Sequence, residues 1–410
     1  MKRLLRLLLW LIWLAVVLVA VTAAWNWDVL LRLYNVNTLF REDRIVANFS
    51  SMKDLFYWTP IRRHGDLVPW PTDRADLPEA YIFEGMTKSV AEWLERTDTT
   101  SFVVVRNGAI AYEDYRLGTR QEDLRISWSM AKSFLSAIFG VAVSDGHIRS
   151  LNDTVDVYAP LLKGTVYEGV TIRNVLNMAS GVSFNEDYLD YNSDINRMGR
   201  VLALGFSMDA FAAGLEARER PQGNARQYTS IDTHVLAMVL RGATGRQLPQ
   251  LLEDILWSQL GVESDGYYLT DGHGVAFALG GLNFVSRDYA RFGQMMLDYG
   301  RFNGRQVIPA AWAEESVRPN APPSVDPNDS FGYGYQWWVP LGADDEFYAI
   351  GIYGQFIYVN RPARVVIVKT SADRGFRDDG ANGNRIEAET IEMFRSIAAA
   401  LTGWRPPAGN

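Results

Sequence analysis

Ile126-Ser127-Trp128-Ser129-Met130-Ala131-Lys132-Ser133-Phe134 places a serine three residues ahead of a lysine, at the head of an apolar run that continues to Ser144. Helical spacing puts Ser129 and Lys132 on one face, one turn apart. A serine hydroxyl is a poor nucleophile until a neighbour takes its proton. Lysine can do that only where burial and nearby groups lower its pKa from about 10.4. At a helix N-terminus the serine oxygen also meets free backbone N–H groups and the positive end of the dipole, which favour the oxyanion that acyl transfer develops. The plain structural alternative is an N-cap serine with a surface lysine. A second S-x-x-K, Ser50-Ser51-Met52-Lys53, has no sustained helix after it and reads as a chance match.

Two further stretches add to this pair. Gln227-Tyr228-Thr229-Ser230 precedes a helical pattern from Ile231 to Thr244, so Tyr228 is delivered at a loop-to-helix junction. There a phenol can stand over a cleft, and beside a lysine ammonium its phenolate becomes accessible. In Ala349-Ile350-Gly351-Ile352-Tyr353-Gly354-Gln355, glycines interrupt a β pattern, as expected where backbone must approach a ligand closely. Other chemistries lack a foothold. The histidines His64, His147, His234 and His273 form no H-E-x-x-H pattern, and calcium-loop, phosphate-loop and G-x-S-x-G motifs are missing, so neither metal nor cofactor is expected. His147 and His234 read as structural. His273, between glycines, is a minor candidate to line a site.

The 410 residues carry 40 Lys+Arg against 48 Asp+Glu, a net charge of −8, with no Cys. A large basic surface for nucleic acid is thereby excluded, as are disulfides and a thiol nucleophile. The apolar run from Leu7 to Ala24 follows Lys2, Arg3 and Arg6, and Trp25 and Trp27 follow it. It is long enough to approach the span of a bilayer core and longer than an ordinary signal core, which favours an uncleaved anchor over a cleaved signal peptide. The basic residues would stay cytoplasmic and the rest would lie beyond the membrane. The strong preference for Arg over Lys suggests a GC-rich bacterium, hence a single-pass inner-membrane protein facing the periplasm or cell exterior; secretion after cleavage is the alternative.

The expected organisation is an anchor over 1–27, a juxtamembrane stalk packing on the domain over 28–80, and a catalytic domain over 81–405. Within the last, Ala80 to Arg96 has helical spacing, and two β-prone runs flank Asn107-Gly108, a strong hairpin signal. Helical patterns cover Ser129–Ser144, Thr171–Met178, Ile231–Thr244, Gln247–Leu260 and Ser286–Gly300. Sheet composition returns at Tyr333–Val339, Phe347–Ile350, Gln355–Asn360 and Val365–Thr370, before a closing helix from Asn384 to Leu401. Strands from both ends with helices between imply one sheet of distant segments carrying a helical insertion.

In this order and at these intervals, the motifs resemble the serine β-lactamase-related family: the penicillin-binding-protein-like hydrolases, including class C β-lactamases, esterases and the 6-aminohexanoate-dimer hydrolase. Leu151-Asn152-Asp153-Thr154-Val155, Thr171 through Val182, Gly280-Gly281-Leu282 and Ser286 through Gly293 extend the likeness over roughly Phe102 to Leu401. The resemblance implies an α/β (α+β) fold of the β-lactamase/transpeptidase type, with an antiparallel sheet flanked by helices beside a mostly helical lobe. It implies that Ser129 is the acylated nucleophile, with Lys132 and Tyr228 moving protons; which of the two is the base stays open. The N–H groups of Ser129 and Ile352 would form the oxyanion hole, and Tyr188, Ser230 and Gly351 would contact substrate. Ser230 stands where the family's Tyr-x-Asn motif has Asn. Lys369-Thr370-Ser371 looks like the family's Lys-Thr-Gly motif but lies one strand too late, which suggests a structural role. The expected substrate is a small-molecule or short-peptide ester or amide. The alternatives are a D-Ala-D-Ala-type peptidase or β-lactamase, and a catalytically silent envelope-binding module. Sequence leaves the oligomeric state open.

Overall fold

The computed structural model describes residues 2–327, 329, 331–340, 342, 344–377 and 383–406. In chain order, the helices that matter to the site are α1 (Lys2–Trp25), α2 (Trp27–Thr38), α3 (Ala131–Ser144), α4 (Asp194–Leu204), α5 (Ser230–Thr244), α6 (Ser286–Leu297) and α7 (Gly383–Thr402). The strands of its two larger sheets are β1 (Trp58–Ile61), β2 (Thr99–Arg106), β3 (Ala109–Tyr115), β4 (Arg125–Ile126), β5 (Gly266–Leu269), β6 (Leu282–Phe284), β7 (Phe331–Tyr333), β8 (Trp338–Pro340), β9 (Glu346–Gly351), β10 (Gln355–Asn360) and β11 (Val365–Ser371).

A seven-stranded sheet in the order β7-β8-β9-β10-β11-β2-β3 joins the late strands to the early hairpin. Every adjacent pair is antiparallel. Both faces are covered, which explains unbroken runs such as Phe102-Val103-Val104-Val105. Phe102 and Val104 pack with Phe394 and Ile397 of α7 on one side. Val103 and Val105 lie with Phe292 of α6 in the main core on the other. Side chains alternate across a strand, so one hydrophobic run serves two cores. The helical lobe, with α3 and α5 at its centre, continues the main core.

The segment 28–80 contributes Leu39, Ile45, Phe49, Met52, Phe56 and Ile61 to that core. Its strand β1 pairs with β5 in a second, four-stranded sheet, β1-β5-β6-β4. Helix α1 leaves the domain with none of its apolar length buried.

Three local expectations are corrected. Ala80 to Arg96 is not one helix: Ala80–Phe83 and Met86–Ser89 form a hairpin, and only Val90–Arg96 is helical. Glu84 (φ +50°) and Gly85 (φ +74°) make its two-residue turn, the left-handed pair that matches strand twist. Tyr333 to Val339 is likewise two strands, β7 and β8, separated by a turn in which Gln336 has φ +65°. The Gln247–Leu260 pattern begins as Leu248–Leu252 and widens into a π-helical turn at Glu253–Trp257.

Candidate active site

The S-x-x-K stretch forms a 3₁₀ turn, Trp128–Met130, that runs directly into α3. Ser129 does not cap the helix. Trp128 is held at φ +42°, a strained conformation for a bulky residue. Its ring is wedged against Phe40 and Phe49 at centroid distances of 5.7 and 5.5 Å. Phe40 in turn stacks on Tyr353 at 4.6 Å. Residues of the 28–80 segment therefore buttress both the turn that carries Ser129 and the turn that follows β9.

Lys132 is only 2% exposed. Its Nζ donates to Ser129 Oγ at 2.7 Å, to Ser230 Oγ at 3.2 Å and to the Leu279 carbonyl at 3.2 Å. Burial lowers its pKa to about 7, against the opposing pull of the Glu186 charge. Near neutral pH a substantial fraction is thus the free amine. In that state the hydrogen bond to Ser129 reverses and the nitrogen can take the serine proton.

Tyr228 sits just before α5, its ring 24° from parallel to Trp338 with centroids 5.4 Å apart, and the Lys132 ammonium stands 4.9 Å from its ring centroid. Burial first, and then the negative charge of Glu186, push the phenol well above its ordinary pKa, although hydrogen bonding with Ser129 and Ser230 opposes them. This corrects the expectation of an accessible phenolate. The lysine meets the face of the ring, and low dielectric and a carboxylate dominate at the hydroxyl, so Tyr228 is a neutral phenol able to donate a proton.

Glu186 is the group that sequence reasoning passed over. Its carboxylate accepts from the Ser230 backbone N–H, from Ser230 Oγ at 3.2 Å and from the Tyr188 hydroxyl at 3.1 Å. Burial raises its pKa, offset in part by Lys132 and by these hydrogen bonds. Ser230 thereby links lysine to carboxylate.

At the end of β9, a Cβ on Gly351 would lie 2.5 Å from the Ser127 carbonyl oxygen and 3.0 Å from the Ser129 nitrogen. Only glycine lets the strand approach the turn that carries Ser129 this closely. Ile352 follows and, with Ser129, Ser230 and Tyr188, lines a cavity of about 190 Å³. Lys369 is elsewhere. It is buried in β11, donating to Ser371 Oγ at 2.5 Å and to the Gly354 carbonyl at 3.4 Å, and it does not line the cavity. His234 is buried against Asp209 at 2.9 Å, and His273 is exposed and outside the cavity. Ser50 accepts from Arg125, away from Lys53. Among the described residues, no group of three His, Asp or Glu side chains is placed to hold a metal ion.

Comparisons with known proteins show the family and the fold. The family model described as Beta-lactamase matches residues 88–391. The 6-aminohexanoate-dimer hydrolase of Paenarthrobacter ureafaciens is 31% identical over 292 residues, which is 68% of this chain and 74% of that protein. A solved structure from Bacillus anthracis, provisionally named a 6-aminohexanoate-dimer hydrolase, superposes with TM-score 0.79 at 26% identity, covering 88% of this chain and 96% of that one. A penicillin-binding protein homologue from Pyrococcus abyssi shares the fold, with TM-score 0.57 at 15% identity over 77% of this chain and 76% of its own. The S-x-x-K stretch, the sheet of distant segments and these relatives converge: the chain belongs to the Beta-lactamase family and is a serine hydrolase.

Proposed function

We propose that the chain is a membrane-anchored hydrolase that cleaves an ester or amide bond through an acyl-enzyme on Ser129. The observation that carries this reading is the 2.7 Å contact between Lys132 Nζ and Ser129 Oγ, made by a buried lysine whose pKa is brought to about 7. Neutral Lys132 takes the serine proton as Oγ bonds to the substrate carbonyl carbon. The N–H groups of Ser129 and Ile352 hold the oxyanion. The tetrahedral intermediate collapses by breaking the bond to the leaving group, which receives a proton from the Lys132–Tyr228 pair. Water then attacks the acyl carbon and frees Ser129. Tyr188, Ser230 and Gly351 shape the substrate side. Helix α1 anchors the chain, with the hydrolase domain on the periplasmic or extracellular face.

A fluorophosphonate probe tests the nucleophile directly. Labelling of intact protein is expected on the peptide that contains Ser129, with a rate that falls about tenfold per pH unit below about 7 as Lys132 becomes protonated. Labelling at another serine would exclude the assignment. Penicillin labelling is expected to be weak, because Lys369, the lysine of the Lys-Thr-Gly-like stretch, does not line the cavity.

The close approach at Gly351 gives a second expectation. Gly351→Ala should push β9 off the nucleophile turn and lower kcat for ester hydrolysis by roughly 10²–10³, the usual cost of one misplaced oxyanion donor. Steady-state kinetics would expose the error if kcat stayed within threefold of the parent.

A further inference from the structure

The cavity that begins at Ser129 has an unusual wall. Val36, Leu39 and Phe40 come from α2 and the residue pair after it, and Ile195, Met198 and Leu202 from α4. Among the described residues that line it, none is acidic and the one charged side chain is Arg200. Arg200 is itself engaged, stacked 3.9 Å over the Tyr191 ring and donating to the Tyr191 carbonyl. An acyl group ending in an ammonium would be stranded there without a counter-charge, whereas an alkyl chain would find apolar surface along its length.

Helix α2 also ties this cavity to the N-terminal span. The hydrogen bonds Asn26 N–H to Thr22 O and Leu30 N–H to Asn26 O carry the chain from α1 into α2 with almost no break. Val36 lies about 11 residues beyond Trp25, roughly 16 Å along a helix at 1.5 Å per residue. Arg32 fastens α2 to the domain through the Ala203 carbonyl at 3.1 Å. Around the same region Leu30, Leu31 and Tyr34 of α2 and Leu189 and Tyr191 of the 185–193 loop are exposed, the last two at 51% and 59%. An exposed apolar rim on a cavity held this close to a bilayer-length helix is a surface for lipid rather than water.

We propose that the acyl group transferred to Ser129 is a long alkyl chain taken from a lipid ester in the membrane, seated between α2 and α4. This rests on the serine-hydrolase reading and names its substrate class. The chemistry balances as hydrolysis. Ser129 Oγ bonds to the acyl carbon, the ester C–O bond breaks, and the alcohol leaves with the proton that Lys132 took from serine. Water then supplies hydroxide to the acyl carbon and returns a proton to Ser129, giving one fatty acid and one alcohol.

The test uses the full chain in phosphatidylcholine nanodiscs. With p-nitrophenyl esters from acetate to decanoate, kcat/KM should rise about fourfold per methylene until the cavity is filled, so that decanoate exceeds acetate at least a hundredfold. Dioleoylglycerol embedded in the same discs should release oleic acid. Asn37→Trp, an exposed position on α2 at the cavity wall, should lower the decanoate-to-acetate ratio at least tenfold. Fluorophosphonate labelling of Ser129 with acetate hydrolysed as fast as decanoate overturns the chain-length inference alone. Turnover of soluble esters without release from the embedded lipid overturns the membrane source, and an unchanged ratio in Asn37→Trp overturns the placement between α2 and α4. Failure of labelling and of every ester together would instead overturn the serine-hydrolase reading beneath it.

Discussion

Ser129→Ala is expected to lower kcat for any turned-over ester by about 10⁴ or more, the scale seen when a nucleophile is removed from a unit that works together. The fold should survive. Ser129 is half-buried; its Oγ accepts from Lys132 and its hydroxyl hydrogen-bonds with Tyr228. Without it Lys132 keeps Ser230 Oγ and the Leu279 carbonyl. Losing these two hydrogen bonds, one of them to a group that keeps two other acceptors, costs about 1–3 kcal/mol. Ester kinetics beside a thermal melt check both halves. A variant that retains a tenth of the parent rate would mean that another group attacks the substrate.

Lys132→Met should cost roughly 10²–10⁴ in kcat/KM, because methionine fills the space of the lysine stem and cannot take a proton. The acid limb near pH 7 should disappear from what activity remains, since the group that titrates there is gone. Stability should move the other way. The folded lysine has its pKa depressed from 10.5 to about 7. Between those values the unfolded chain binds the proton and the folded one does not, so parent stability rises with pH across that window. Below about 7 both states are protonated and the buried ammonium is a full liability. The melting temperature of Lys132→Met relative to the parent should therefore be higher at pH 6 than at pH 9. Glu186, losing its cation, protonates more readily in the variant, which reinforces the same sign. Equal offsets at both pH values would show that Lys132 is not desolvated in the resting enzyme.

The candidate site residues were legible because each sits in a local pattern. Ser129 and Lys132 stand a helical turn apart, Tyr228 at a loop-to-helix junction, and Gly351 where a glycine interrupts a strand. Glu186 belongs to no such pattern. Its neighbours Asn185 and Asp187 are ordinary loop residues, and the carboxylate matters only because the chain brings it under Ser230, 44 residues later. The hairpin at Glu84-Gly85 was missed for a different reason. The apolar residues of Val90–Arg96 are helical, and counting Tyr81 and Met86 with them extended the period across a turn. A glycine after an acidic residue between β-prone pairs was the signal that would have split it.

Sequence alone determined the family, the fold class and most of the element order, since helical and strand periodicities and the S-x-x-K spacing are short-range properties that a linear chain displays directly. Tertiary structure alone decided the protonation states and the shape of the site. The pKa of Lys132, about 7, is set by burial working against a carboxylate from a distant loop, and the same burial and carboxylate push the Tyr228 phenol well above its ordinary range. The cavity wall requires α2, a segment after the apolar span, to fold across α4. Desolvation and cavity shape depend on what surrounds a group from every direction, and neighbours along the chain specify only two of those directions.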